Sequence, residues 1–126
     1  EVVLSTFALA TSIRRFLSLV VASSLTVLSN AYGASFDCKQ AKSPDERAIC
    51  DSRQLSELDV EMSVRYEMLT GLVAMGARGA MQDEQQAWLN MRRKCRSNQA
   101  CLLSSYRHRI EMLKEDYARL ASRGPF

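Results

Sequence analysis

Histidine and tryptophan each occur once in this 126-residue chain, at His108 and Trp88. His108 stands between Arg107 and Arg109, with no serine or cysteine adjoining it. Nucleophile and base catalysis therefore lacks its usual partners. Close CxxC or HxxxH pairs are absent too, which argues against zinc. No metal or other cofactor is expected. No strand-length stretch alternates apolar and polar residues, so a sheet has no material to form from. Internal repeats and low-complexity linkers are missing, which leaves room for a single domain. The excess of positive charge is small, +3 at neutral pH, and does not call for nucleic acid or a membrane surface. The paired acids Asp83-Glu84 and Glu115-Asp116 fall on helix faces expected to be exposed. Nothing about them pushes two pKa values apart, as acid and base catalysis requires. These absences point away from an enzyme and toward binding.

The first 34 residues are also free of cysteine, and their layout is that of a signal peptide. Arg14 and Arg15 form a positive start, and residues 16–28 form an apolar run. Asn30-Ala31-Tyr32-Gly33-Ala34 supplies small residues for cleavage, after Gly33 or after Ala34. The apolar run, about 13 residues, is well short of the roughly 20 that span a bilayer. The paired arginines abut Phe16 directly, which fits the general secretory route better than a twin-arginine signal. A lipid anchor needs a cysteine at the first mature position, whereas the first cysteine is Cys38, behind Ser35-Phe36-Asp37. The expectation is a leader over residues 1–34 and a periplasmic or secreted domain over residues 35–126 with no membrane anchor. That domain carries 15 basic and 13 acidic residues, a formal charge of +2.

The domain reads as all-α. Ser43-Pro44-Asp45-Glu46 can open a short helix, with Ser43 as cap, Pro44 in the first turn and Glu46 reaching back. That helix ends near Cys50. A second begins near Ser52 and repeats Leu55, Leu58, Met62, Tyr66, Leu69 and Val73 at spacings of three and four, one helical face. Gly76 and Gly79 suggest a turn with Arg78 at its tip. A third helix then runs from about Ala80 to Cys95, with Met81, Gln85, Trp88, Met91 or Arg92, and Cys95 on its inner face. Ser97 or Asn98 can cap a fourth helix, whose seam is Leu103, Tyr106, Ile110, Leu113, Tyr117 and Leu120. Gly124-Pro125 ends it. One short and three longer helices joined by short turns should form an antiparallel bundle.

Four cysteines behind a leader read as a disulfide framework. Of the three possible pairings, Cys38–Cys50 with Cys95–Cys101 is favoured. The first pins the N-terminal segment to the short helix, and the second staples the turn between helices three and four. Pairings that join the two ends of the domain stay open in a bundle.

Trp88 lies on the apolar face of helix three and reads as core. Asp59 is expected to cap or to pair with Arg92 or Arg109 in a structural ion pair. His108 lies off the fourth-helix seam and reads as a surface side chain. The basic run Arg92-Arg93-Lys94-x-Arg96 flanks the Cys95–Cys101 turn and is the most functional-looking surface feature. Arg107 and Arg109 extend it on the next helix. Cations are also favoured at a helix C-terminus on electrostatic grounds alone. Arg92, Arg93, Lys94, Arg96 and Arg78 are the candidate partner-binding residues.

Phe36-Asp37-Cys38, Ser43-Pro44-x-Glu46-x-x-Ile49-Cys50 and Leu55-x-x-Leu58-Asp59 resemble the start of the LprI-type lysozyme-inhibitor domain, a bacterial family. Gln85-x-x-Trp88-Leu89-x-x-Arg92-x-x-Cys95 and Cys101-Leu102-x-x-x-Tyr106-x-x-Arg109-Ile110 resemble its closing motif. The likeness spans residues 36–113. It implies a helical domain in the periplasm or at the cell surface and, as a partner, a lysozyme-type glycoside hydrolase. The member that names the family is a lipoprotein, and this chain lacks the corresponding cysteine.

Overall fold

The computed structural model describes residues 33–124. The expected leader lies outside the described residues, apart from Gly33 and Ala34 at its end. Among these residues a 3-10 turn, Cys38–Gln40, precedes four α-helices: α1 (Pro44–Asp51), α2 (Arg53–Leu72), α3 (Met75–Lys94) and α4 (Gln99–Ala121). There is no strand among the described residues, and none of their helices is long and apolar enough to cross a membrane. The domain is a small all-α bundle closed by two disulfides, Cys38–Cys50 and Cys95–Cys101.

The helix starts follow from local chemistry. Ser43 accepts from the Glu46 amide while the Glu46 carboxylate accepts from the amides of Ser43 and Lys42, a complete capping box. Those backbone donors, Ser43 first, lower the Glu46 pKa below its ordinary value. Ser52 caps α2 by accepting from the Leu55 amide, and Asn98 caps α4 by accepting from the Cys101 amide.

The bundle core consists of Ile49, Leu55, Met62, Leu69, Leu102, Tyr106, Ile110 and Leu113. α2 and α4 share the broadest interface. Gln85 meets Met62 and Arg109, while Arg92, further along, meets Asp59 and Tyr106. Position numbers thus rise along α3 as they fall along α2 and α4, so α3 runs opposite to both. The expected seams hold through their middles. Leu58, Tyr66 and Leu103 are half-buried, and Tyr117, near the end of α4, is 49% exposed.

The expected glycine turn is not formed. Gly76 and Gly79 lie inside α3, which begins at Met75, and the chain reverses at Val73 and Ala74. Ala74 offers no side-chain cap. Arg78 acts instead: its Nε donates to the Thr70 carbonyl at 2.8 Å and its Nη2 to the Val73 carbonyl at 3.4 Å. These are acceptors that the end of α2 would otherwise leave open. Arg78 is therefore a clasp between two helices in the first turn of α3, not the tip of a wedge.

Candidate functional site

The C-terminal turn of α3 divides its arginines between two environments. Arg92 points inward and is 5% exposed, whereas Arg93 and Lys94 are exposed. The position that periodicity leaves between Met91 and Arg92 thus goes to the arginine, and Met91 is 58% exposed. Arg92 does not belong to a partner-binding surface, because its guanidinium is consumed in the core.

There it joins all four helices. Nε donates to Asp45 Oδ2 of α1 at 3.1 Å, and Nη1 donates to the Tyr106 hydroxyl of α4 at 3.0 Å. The hydroxyl donates in turn to Asp59 Oδ1 of α2 at 2.7 Å. Arg92 Nη1 lies 3.8 Å from the same oxygen, so the expected pairing of Asp59 with Arg92 passes largely through Tyr106. Asp59 Oδ2 accepts from the Ser35 amide at 2.6 Å. The guanidinium also lies over the rings of Trp88 and Tyr106, 5.6 and 6.0 Å from their centroids. Those rings meet edge to face, and the indole N–H donates to the Ser105 carbonyl at 3.3 Å. Trp88 is accordingly a partly buried lid on the cluster.

Burial, and next the neighbouring Asp59 carboxylate, raise the Tyr106 pKa far above its ordinary value of 10. The folded state therefore holds the proton more tightly than the unfolded chain. The stability this gives is complete below pH about 10 and is lost as pH rises above it, by about 1.4 kcal/mol per pH unit. The expected result is a steep alkaline loss of stability that Tyr106→Phe flattens. The same variant should be about 1–3 kcal/mol less stable at neutral pH, because Arg92 and Asp59 lose their bridge. Urea melts across pH 7–11 measure both effects.

Arg109 is buried as well, at 2% exposure, and so does not extend the surface patch. Its Nε donates to Gln85 Oε1 at 3.0 Å and its Nη1 lies 3.8 Å from Glu84 Oε2, while Nη2 is buried without a partner. Arg107 and His108 remain exposed.

What remains at the surface is compact. Arg93, Lys94 and Arg96 are exposed at the mouth of the Cys95–Cys101 turn. Among the described residues no carboxylate forms an ion pair with any of the three. Arg96 has φ +52°, the one non-glycine residue with positive φ among the described residues. Helices commonly end through this left-handed region with glycine or asparagine. Arginine there costs about 1–2 kcal/mol. The disulfide, the Arg96 amide donating to the Arg93 carbonyl, and the Asn98 amide donating to the Cys95 carbonyl hold the loop in place. An open depression lined by Pro44, Arg47, Ala48, Asp51, Ser97 and Gln99 lies between this turn and α1.

Both disulfides consume their thiols, so the cysteines offer no ligand to a metal. Among the described residues no group of three or more His, Cys, Asp or Glu side chains could hold one. No protein-family model, curated protein or solved structure matches this chain.

Proposed function

We propose that the domain is an exported, non-catalytic binding protein that inhibits lysozyme-type muramidases through the stapled Cys95–Cys101 turn. The observation that carries this reading is Arg96. A strained arginine is kept where glycine costs less, in a disulfide-closed loop with two further exposed cations beside it. Backbone strain of this kind concentrates where a side chain has work to do. Muramidases hydrolyse glycans with two carboxylates in a cleft. A rigid loop bearing Arg93, Lys94 and Arg96 can fill such a cleft and pair with those acids, and its rigidity lowers the ordering cost of binding. The mature charge of +2 gives no long-range attraction to a basic lysozyme, so short-range contacts must carry the affinity.

The resemblance to the LprI-type domain supports the fold more strongly than the partner. Apart from Asp37 and Cys101, the residues that carry it are buried or half-buried. They build the core, the caps, the disulfides and the Arg92 network. The exposed cations of the turn lie outside the shared pattern, so the target of this domain is set by residues the likeness does not reach.

The test is a muramidase lysis assay with C-type and G-type lysozymes across a salt series, using the oxidised processed protein. Dose-dependent inhibition is expected. Arg93→Ala, Lys94→Ala and Arg96→Ala together should remove it while leaving the melting temperature within a few degrees. Arg96→Gly relieves the backbone, so it should melt at the same temperature or higher and yet inhibit less. Full inhibition by the triple variant excludes this surface. A folded protein that inhibits neither enzyme, but binds anionic envelope glycans or lipid head groups with steep salt dependence, would replace this reading with that of an envelope interaction module.

A further inference from the structure

The buried cluster around Arg92 is short of positive charge. Asp45 and Asp59 are each 1% exposed, and Arg92 is the one cation that pairs with either among the described residues. Glu46, in the first turn of α1, is held in its charged form first by the Ser43 and Lys42 amides and only last by the same guanidinium. Arg109, the other buried cation, faces Gln85 and Glu84 instead. Asp45 lies in the first turn of α1, where the helix dipole offsets part of its charge. Asp59 lies in mid-α2 and has no such help. A buried carboxylate without its share of positive charge is costly. Yet its Oδ2 accepts from a backbone nitrogen, that of Ser35, at 2.6 Å. Ser35 adjoins the bonds at which the leader is expected to end.

We propose that the amino terminus created by leader removal beside Ala34 is the second cation of this cluster, paired with Asp59. The proposal rests on reading residues 1–34 as a leader. A leader peptidase and one water hydrolyse a peptide bond. The carboxylate stays on the leader, and the freed amine takes a proton at neutral pH. Cleavage of Ala34–Ser35 sets the ammonium directly on Asp59 Oδ2. Cleavage of Gly33–Ala34 sets it one residue further, a step of about 3.8 Å along the chain. The ammonium is then no more than about 6.4 Å from Asp59 Oδ2, at the outer edge of the range at which a charge acts on a carboxylate, and this cleavage keeps Ala34 packed against the core. In the unprocessed chain the same nitrogen is a neutral amide. Processing thus completes the fold: the cluster gains its second cation only after export, in the compartment where Cys38–Cys50 closes and holds the N-terminal segment on α1.

The experiment uses the full chain exported by a bacterial host. Intact mass of the oxidised product should place the new terminus at Ala34 or Ser35. Its α-amine is then challenged with limiting acetic anhydride near pH 7, where an α-amine (pKa about 8) reacts ahead of lysine (about 10.4). Pairing raises the α-amine pKa by about one unit or more, so acetylation of the native protein should be at least about tenfold slower than of the same protein in urea. Protein acetylated in urea with its disulfides intact, then refolded, should melt about 5 °C lower than the unmodified protein. In Asp59→Asn acetylation should no longer change the melting temperature. If that variant does not fold, the two wild-type measurements still decide. A terminus elsewhere, an amine that reacts as fast in the native state as in urea, or an unchanged melting temperature overturns the pairing. A product whose mass retains residues 1–34 overturns the leader reading itself.

Discussion

Arg92→Met should lower the stability of the oxidised domain by about 3–5 kcal/mol, the range for removing one partner from a buried ion pair. For a domain of this size that is a fall in melting temperature of at least about 15 °C. The size of the effect comes from what is left behind, not from the arginine alone. Asp45 and Asp59 would stay in the core, each 1% exposed, with their shared cation gone, and the Tyr106 hydroxyl would lose its donor. The stacking of the guanidinium on Trp88 and Tyr106 would be lost as well, since a thioether carries no charge over the rings. Arg92→Lys should recover part of the loss. It restores a charge, but a single ammonium cannot reproduce the planar fork that reaches Asp45 and Tyr106 together. Equilibrium urea unfolding at pH 7 checks this: the midpoint should fall with the slope unchanged. Arg93→Met, one residue along the same helix, is the control and should change stability by no more than about 0.5 kcal/mol. Equal losses for the two would mean that the inward position of Arg92 contributes nothing special.

That contrast between neighbours also marks the limit of what the residues disclose by pattern. The class of fold, the capping box at Ser43 and the disulfide pairing were all legible, because each rests on local spacing. Leu55, Met62 and Leu69 on α2 recur every seven residues, two helical turns apart, and Tyr106, Ile110 and Leu113 on α4 recur at four and three; all six are buried as the helical period requires. The inward arginines were harder to read. Arginine is almost never fully buried unless paired, so a basic run suggests a surface. The helical period nonetheless carried the signal. Arg92 is four residues beyond Trp88 on the inner face of α3, and Arg109 is three beyond Tyr106 on the buried face of α4. Asp45 gave less warning, since an acid in a first helical turn is ordinary. Its burial depends on α3 arriving opposite α1, which no local pattern reports. The glycine turn failed for a related reason. Gly76 and Gly79 break a helix in isolation, at a cost of about 1 kcal/mol each relative to alanine. Here α3 continues through them because Arg78 fastens its first turn to the end of α2.

The two disulfides should separate stability from binding when removed one at a time. Cys38→Ala with Cys50→Ala opens a loop of 12 residues and should cost about 3 kcal/mol from chain entropy alone. The loss should exceed that figure, because the freed segment carries Phe36, which packs on the core, and Ser35, whose amide bonds Asp59. Cys95→Ala with Cys101→Ala opens a loop of six, worth about 2 kcal/mol by the same relation, and α4 keeps both its Asn98 cap and its packing on α2. What that second pair loses is the fixed shape of the turn. Without the crosslink, Arg96 is free to leave its positive φ, and the Arg93, Lys94 and Arg96 cations no longer share one preformed arrangement. The Cys38 and Cys50 pair should therefore melt lower yet inhibit almost as well at 10 °C, where enough of it is folded. The Cys95 and Cys101 pair should stay the more stable of the two and lose most of its inhibition. Reducing both bonds removes about 5 kcal/mol, comparable with the whole stability of a domain this small, and should unfold the protein at 37 °C. Thermal melts and lysis assays on the two double variants decide the matter. If the Cys95 and Cys101 variant inhibits like the wild type, binding does not depend on a preformed turn, and the strain held at Arg96 serves the fold rather than the partner.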